Sequence, residues 1–285
     1  MVAVAKVVAR ALIPRRLRNW LRRPASSFRW LRDQVAHFRG RDQVVQVRPG
    51  WEVRCHPAAW RLAYRVHLED PEQVPELDAF IAACTPGMVF LDLGAHFGLF
   101  SLAALHFGGP GARAMAVDPS PTAERMLHCQ ARLNGVERRL EVVRAAVSAS
   151  DGQTELVSAG VGSAGYFVPP ERQHARGERT VVRAVTIDSL VLRGDLRPTH
   201  VKLDVEGGEA DALRGGVKTL AAGAAPVLFV ELHNAIVAGR GGDPGESLAI
   251  LREMGYATFR LDGAAVTSEE ILEHAVARVV ARRMR

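Results

Sequence analysis

Cysteine and long apolar runs are both scarce in this chain of 285 residues. The three cysteines, Cys55, Cys84 and Cys129, lie far apart and form no CxxC pair, which argues against a disulfide framework and against a zinc site. No apolar run is long enough to span a bilayer, and no apolar core followed by a small-residue cleavage site marks a secretory signal. We therefore expect a cytoplasmic protein, with any membrane association limited to its N-terminal segment.

The chain also lacks an even distribution of positive charge, although its formal net charge is +6. Residues 1–41 hold 11 lysines and arginines and one acid, whereas residues 42–285 hold 26 basic and 30 acidic groups. Because the main part of the chain is net acidic, nucleic acid is disfavoured as a partner.

Apolar residues and arginines are mixed in the segment 1–42, which Pro14 and Pro24 divide into pieces. This composition predicts a basic, amphipathic, helical arm. Two interpretations stay open. Residues 1–41 would make peripheral contact with an anionic membrane or another polyanion, or the arm would pack its apolar side on the domain and leave its arginines in water.

Strand-like and helix-like segments alternate over residues 85–266, which predicts an α/β fold with a doubly wound, mostly parallel sheet. Residues 43–84 precede this domain and are typical of two short strands and a helix. A polar, glycine-rich loop over 158–179 is predicted between two extra strands, and substrate choice would depend on this loop and on 43–84. Residues 267–285 begin with a Thr-Ser cap and acids and end in arginines, so they predict a C-terminal helix.

The stretch VFLDLGAHFG lacks the G-x-G-x-x-G spacing of dinucleotide sites. Gly94 and Gly98 allow close approach of the backbone to a ligand, and the amides that open the next helix can bind polar groups. Asp92 would repel a pyrophosphate. It suits the cationic amino group of S-adenosyl-L-methionine, so the pattern favours that cofactor over NAD.

Two further strand ends could complete a cofactor site. Asp118 follows the next strand, where an acid can accept both ribose hydroxyl hydrogens. An Asp before Pro-Ser-Pro could instead cap a helix. Ala146, at the end of the strand after that, leaves room for an adenine ring.

Ionisable side chains crowd the ends of two later strands: Lys202, Asp204, Glu206 and Glu209 on one, and Glu231 and His233 on the other. Strand alternation places the first three on one side. Such groups are costly to bury unless they are paired or functional. If these residues are not functional, Lys202 would form a structural ion pair with one of the acids, and His233 would be a histidine packed in the core.

These motifs, in this order, resemble the FkbM-type S-adenosyl-L-methionine-dependent methyltransferases over about residues 75–260. The most specific part is K-x-D-x-E-G-x-E-x-x-x-L-x-G, which begins at Lys202. The resemblance implies a Rossmann-like class I methyltransferase fold and O-methylation of a hydroxyl, often on a sugar or natural product.

The resemblance also implies roles for individual residues. Asp204 and Glu206 would lie near the methyl-transfer site, and the cofactor would contact Asp92, Gly94, His96, Gly98 and, through its ribose, Asp118. The family usually has Asn where this chain has His96 and Glu where it has Asp118, but a polar side chain and an acid are retained.

Methylation of an alcohol needs a base or a metal to take the proton as the new bond forms. The candidate catalytic residues are His233, Glu206, Asp204 and Lys202, with His233 or an acid of this cluster as the base. A divalent ion on Asp204, Glu206 and Glu231 would have no recognised ligand spacing, so no metal is predicted.

A small-molecule or glycan hydroxyl is the predicted acceptor. The alternatives are an RNA methyltransferase that uses the basic arm, a nucleotide-binding oxidoreductase, which the missing glycine spacing argues against, and a non-enzymatic binding protein. Nothing in the sequence indicates the oligomeric state.

Overall fold

The structure is a computed structural model that describes residues 25–158, 166–167, 178–222 and 226–284. Its first part confirms the two short strands and the helix predicted before the domain. In chain order the elements are α1 (Ala25–Phe38), β1 (Gln43–Arg48), β2 (Trp51–Cys55), α2 (Pro57–Ala59), a π-helical turn (Trp60–Tyr64), α3 (Val66–Glu69) and α4 (Val74–Ala83). The part of the predicted arm that precedes α1 lies outside the described residues.

Strands and helices then alternate, as the apolar pattern predicts. The elements up to the second sheet are β3 (Val89–Leu93), α5 (Leu99–Phe107), β4 (Arg113–Val117), α6 (Pro121–Leu133), β5 (Leu140–Val143), β6 (Ala146–Val147), β7 (Gly152–Ser158), β8 (Tyr166–Phe167) and β9 (Glu178–Val185). The remaining elements are α7 (Ile187–Arg193), β10 (His200–Leu203), α8 (Glu209–Arg214), α9 (Val217–Leu220), β11 (Val227–Leu232), α10 (Asn234–Gly239), α11 (Glu246–Glu253), β12 (Tyr256–Phe259), α12 (Ser268–Leu272) and β13 (Ala277–Arg283).

A seven-stranded sheet in the order β5-β4-β3-β10-β11-β13-β12 forms the centre of the described chain. The first five strands of this order are parallel, and β13 is antiparallel to both of its neighbours. The strand order reverses between β3 and β10. In doubly wound sheets such a reversal opens a ligand crevice beyond the carboxyl ends of the two strands.

Apolar side chains cover the central sheet on both faces, as expected of a parallel sheet. Phe90 points to one face, where its ring lies 4.8 Å from that of Phe80, which also contacts Phe229. Leu91 and Leu93 point to the other face and belong to a second buried cluster. The sheet is therefore held rigidly between two cores, which fixes the positions of its strand ends.

The predicted C-terminal helix over 267–285 is wrong. A helix begins there with Thr267 as its N-cap and a capping box closed by Glu270, but α12 is only five residues long. The chain continues as β13, which inserts between β11 and β12 and pairs with both. The β-branched residues Val279 and Val280 suit a buried, pleated strand. Because β13 lies between two strands, its backbone N–H and C=O groups can form hydrogen bonds on both sides.

The extra strands predicted around the glycine-rich loop form a second sheet in the order β6-β9-β7-β8. Most of the loop at 158–179 lies outside the described residues. Across the described part of the chain, no helix has both the length and the apolar character needed to cross a bilayer.

Candidate active site

Two glycines shape the turn after β3, where the strand order reverses. Gly94 has φ +82°, and a Cβ there would lie 1.7 Å from the backbone oxygen of Asp204, just after β10. Gly98 has φ +81°, and its Cβ would lie 2.7 Å from a methyl group of Leu127. From the sequence we expect both glycines to let a ligand approach the backbone. The structure shows that glycine is also required at both positions because a side chain there would clash with Asp204 or Leu127.

His96 and Asp118, which the sequence places on different strand ends, are brought together. The backbone N–H of His96 (φ +48°) donates to Asp118 Oδ2 over 2.9 Å, and the N–H of Ser120 donates to the other carboxylate oxygen over 2.8 Å. Burial raises the pKa of Asp118 to about 7, although both hydrogen bonds oppose the shift. Burial also lowers the pKa of the His96 ring, which stacks on Phe97, to about 4.

Asp92 is only 2% exposed and has an internal partner. The Ser101 hydroxyl of α5 donates to its carboxylate over 2.6 Å, and burial raises the pKa of Asp92 to about 6. This contact ties β3 to the helix that follows it. Asp92 therefore stabilises the strand–helix turn, whatever else it contacts.

Ala146 lies in β6, paired with Ala184 of β9. It is 7% exposed. It follows β5, the neighbour of β4, so it lies on the same side of the strand-order reversal as Asp118.

Lys202 is a buried cation surrounded by carboxylates and is 3% exposed. Its Nζ lies 3.0 Å from Asp204 Oδ2, 3.3 Å from Glu76 Oε1 and 4.7 Å from the centre of the Phe100 ring. Burial disfavours its charge, but the carboxylates outweigh burial and raise the pKa of Lys202. The structural ion pair considered from the sequence is present, with Asp204 as one of its members.

Two members of this ion network were missed by sequence reasoning, namely Glu76 on α4 and Arg278 on β13. Arg278 Nη2 donates to Glu231 Oε1 over 2.7 Å, and its Nε lies 3.4 Å from Glu76 Oε2. Burial is the main cause that raises the pKa of Glu231 to about 7. No motif marks either residue, and Arg278 lies in a segment with a helical pattern, so only the tertiary fold reveals the pairing.

His233 is the centre of a second set of contacts and is 5% exposed. Its Nδ1 lies 2.8 Å from Glu209 Oε1. On the other side of the ring, Nε2 lies 3.5 Å from Glu206 Oε2 and 3.8 Å from Asp204 Oδ1. Burial lowers the pKa of His233, but the hydrogen bond to Glu209 and the nearby carboxylates outweigh it and raise the pKa to about 9. His233 is therefore protonated on both nitrogens at neutral pH.

Asp204 and Glu206 are the accessible carboxylates of this cluster, with side chains 28% and 29% exposed. Burial raises the pKa of Glu206, which also has an unusual φ of +53°. Burial acts in the same direction on Asp204, but Lys202 and His233 outweigh it and hold its pKa below the usual range. One possible ligand atom from each of Asp204, Glu206 and His233 lies within 4.8 Å of the other two. These three residues could therefore hold a metal ion.

His67 on α3 also borders the cluster, although no sequence motif marks it. Its ring meets the Phe100 ring edge to face, with centroids 5.2 Å apart. Burial, helped by the positive charge of Lys202, lowers the pKa of His67 to about 4. His67 is thus neutral at pH 7, in contrast to His233.

The fold and the site together define a Rossmann-like α/β protein with a carboxylate-rich crevice at the reversal of its strand order. The sequence matches the family described as Methyltransferase FkbM domain over residues 92–258. The chain belongs to this family, which confirms the resemblance seen in its motifs. Its fold is that of the class I methyltransferases, and its cofactor is S-adenosyl-L-methionine. No curated protein matches the sequence.

Several solved structures align with this chain at low sequence identity. A methyltransferase FkbM from Methylobacillus flagellatus KT aligns with a TM-score of 0.45 and 14% identity over 78% of this chain, which spans 53% of that protein. TYW2 from M. jannaschii, in complex with AdoMet, gives a TM-score of 0.42 and 12% identity over 84% of both chains. A precorrin-6y C5,15-methyltransferase from Geobacter metallireducens gives a TM-score of 0.42 and 14% identity over 75% of this chain and 87% of that protein. Similarity of this degree says nothing about the substrate of this chain.

The residues present fit S-adenosyl-L-methionine. Asp118 is half-buried, and each of its carboxylate oxygens accepts one backbone hydrogen bond. Each oxygen therefore keeps a lone pair that could accept a hydrogen bond from a ribose hydroxyl. The carboxylates at the end of β10 suit a ligand that carries positive charge.

Proposed function

We propose that this protein is an S-adenosyl-L-methionine-dependent O-methyltransferase that acts on a hydroxyl of a sugar, glycan or small natural product. The observation that carries this proposal is the pair of accessible carboxylates, Asp204 and Glu206, at the reversal of the strand order. One of them could receive a proton beside the crevice in which the family's cofactor binds.

The cofactor supplies a methyl group on an excellent leaving group, so alignment of the acceptor contributes most of the rate. The protein must also remove the hydroxyl proton, because the pKa of an alcohol lies far above 7. A base therefore has to be unprotonated and within reach of the acceptor.

Glu206 meets both conditions better than His233 does. The pKa of about 9 leaves His233 protonated at neutral pH. The Glu206 carboxylate is partly exposed and lies 3.5 Å from His233 Nε2, and the charge of His233 favours the ionised form of Glu206. The raised pKa of Glu206 strengthens it as a proton acceptor. We therefore assign proton removal to Glu206, and we assign to His233 the positioning of the Glu206 carboxylate.

The charge of the crevice supports a neutral acceptor. Asp204, Glu206, Glu209 and Glu231 all lie within 4 Å of His233. With Glu76, these carboxylates outnumber the cations that the structure places among them, which are Lys202, His233 and Arg278. The excess of negative charge would repel the phosphates of RNA. A sugar or hydroxylated metabolite brings no charge and can donate hydrogen bonds to carboxylates.

The proposal is tested by transfer of an isotopically labelled methyl group to a panel of neutral glycans, hydroxylated metabolites and RNA. We expect label on a hydroxyl oxygen of a glycan or metabolite, identified by mass spectrometry. Label on RNA would support the alternative RNA methyltransferase, and label on nitrogen or carbon would refute O-methylation. Binding of NAD in place of the methyl donor would favour the oxidoreductase alternative.

A further inference from the structure

The rotation of helix α1 is fixed by polar contacts on its inner face. Arg61, on the π-helical turn, donates to the Asp33 carboxylate from two nitrogens over 2.9 and 2.7 Å. One turn further along α1, the His37 ring lies 4.6 Å from that of His56 and its Nδ1 lies 2.6 Å from Asp42 Oδ1. These contacts hold one face of α1 on the domain and determine which residues point outward.

An apolar stripe lies on the outer face of α1. Leu31, Val35 and Phe38 are 60%, 42% and 92% exposed, and Phe28, one turn before Leu31, is 51% exposed. The spacing of three, four and three residues aligns the four side chains along one side of the helix. In α1, the part of the arm that the structure describes, this stripe faces away from the domain, whereas Trp30 on the opposite side packs against the core. Contiguous apolar exposure of this kind marks an interaction surface.

Basic side chains flank the stripe. Arg29, Arg32 and Arg39 are exposed on or directly after α1, and Arg41 follows. Asp33, which is the single acid among residues 1–41, points inward. Arg61 donates to its Oδ2, and Arg32 Nη2 lies 3.3 Å from its Oδ1. Since the other arginines here outnumber this one acid, the outer surface of α1 combines an apolar stripe with an excess of positive charge.

We propose that the outer face of α1 binds the surface of an anionic lipid bilayer. An interfacial helix buries its apolar face at the boundary of headgroups and acyl chains, while flanking arginines contact anionic headgroups. Residues 1–24 add seven further basic groups and no acid to the same end of the chain. This proposal does not depend on the methyl acceptor.

The charge pattern favours lipid over other occupants of the stripe. RNA would neutralise the arginines but would leave the apolar side chains without a partner. A second copy of this surface would bury the apolar side chains but would bring like charges together. An anionic bilayer satisfies both features at once.

The test is co-sedimentation of the full chain with vesicles of phosphatidylcholine alone or mixed in equal parts with phosphatidylglycerol. We expect binding to the mixed vesicles only, weakened about tenfold or more in the double variant Leu31→Glu/Phe38→Glu. Leu192→Glu is the matched control, because Leu192 is 83% exposed on α7; it should bind as the unmodified chain does. Equal unfolding temperatures establish that each variant is folded.

Three results would overturn the proposal. The first is equal vesicle binding by the double variant and the unmodified chain. The second is no binding of the unmodified chain to anionic vesicles. The third is a dimer in sedimentation velocity that the double variant converts to a monomer, which would assign the stripe to a second copy.

Discussion

Of three histidines that border the crevice, one is protonated at neutral pH and two are neutral. The pKa of His233 is raised to about 9, whereas the pKa values of His67 and His96 are lowered to about 4. The difference follows from the neighbours, because Glu209 accepts a hydrogen bond from His233, while burial dominates at the other two. Burial also makes Asp118 and Glu231 weaker acids, with pKa values raised to about 7.

The first prediction concerns the proton on His233. A folded pKa of about 9, above the ordinary 6.5, means that His233 stabilises the fold fully below about 6.5 and that this contribution is lost as the pH rises through about 9. NMR titration of the imidazole should show a midpoint near 9, and Glu209→Gln should lower it. His67 is the internal control, neutral down to about pH 4. A His233 midpoint at or below 6.5 would contradict the geometry.

The second prediction separates the proton acceptor from its neighbours. Glu206→Gln should lower kcat by about 10²- to 10⁴-fold, the usual contribution of a general base, and leave the affinity for S-adenosyl-L-methionine unchanged. His233→Ala should lower kcat less and shift the pH–rate profile. Steady-state kinetics and donor titration check both. Turnover of Glu206→Gln close to that of the unmodified enzyme would remove Glu206 from this role.

At the scale of the elements, the β3–α5 turn and the end of β10 are packed against each other without space. Gly94 has a positive φ, and a Cβ added to it would overlap the Asp204 carbonyl. Position 94 therefore tolerates a side chain less well than any other glycine of the site. The sequence shows that glycine is needed there. It does not show that the close neighbour is a backbone carbonyl after another strand.

The third prediction uses a matched pair of glycines. Gly135 has φ +65° with nothing within 4 Å of an added Cβ, so Gly135→Ala should cost only the conformational penalty of about 1–2 kcal/mol. Gly94→Ala adds a clash with backbone and should cost clearly more, about 3 kcal/mol or above. Denaturant unfolding measures both free energies. Equal losses of stability would show that the Asp204 carbonyl is free to move.

The fourth prediction tests the network that joins α4, β10, β11 and β13. Lys202→Met leaves buried carboxylates unpaired and should destabilise the protein by about 3–5 kcal/mol. Addition of Glu76→Gln should restore part of this loss. Arg260→Met is the control, since its ion pair with Glu270 is exposed and solvent screening leaves such a pair little effect on stability. If Lys202→Met lowers the free energy of unfolding no more than Arg260→Met does, the buried ion network does not stabilise the fold.

Local patterns and tertiary contacts differ in how far the sequence predicts them. Apolar alternation and turn residues predict the strands and helices of the core, and the crowded strand ends predict that Asp204, Glu206 and His233 meet. The capping box at Thr267 also predicts the start of α12, but the helical interpretation fails beyond it. There, pairing with β11 and β12 outweighs local propensity. Glu76 and Arg278 enter the site through this packing, which no single segment encodes.

At the scale of the whole molecule, the charge of the chain divides into two parts. Positive charge is concentrated in residues 1–41, and the crevice between the ends of β3 and β10 is rich in carboxylates. The first part suits an anionic surface, and the second suits a cationic donor with a neutral acceptor. The net charge of +6 describes neither.

The central claim is that the crevice holds a methyl donor. It is tested most directly by calorimetric titration of the full chain with S-adenosyl-L-methionine and S-adenosylhomocysteine, alongside Asp118→Ala. We predict binding of both ligands in the micromolar range, weakened about tenfold or more in the variant, whose unfolding temperature shows that it is folded. Absence of binding for both ligands, or equal binding by Asp118→Ala, would contradict the account.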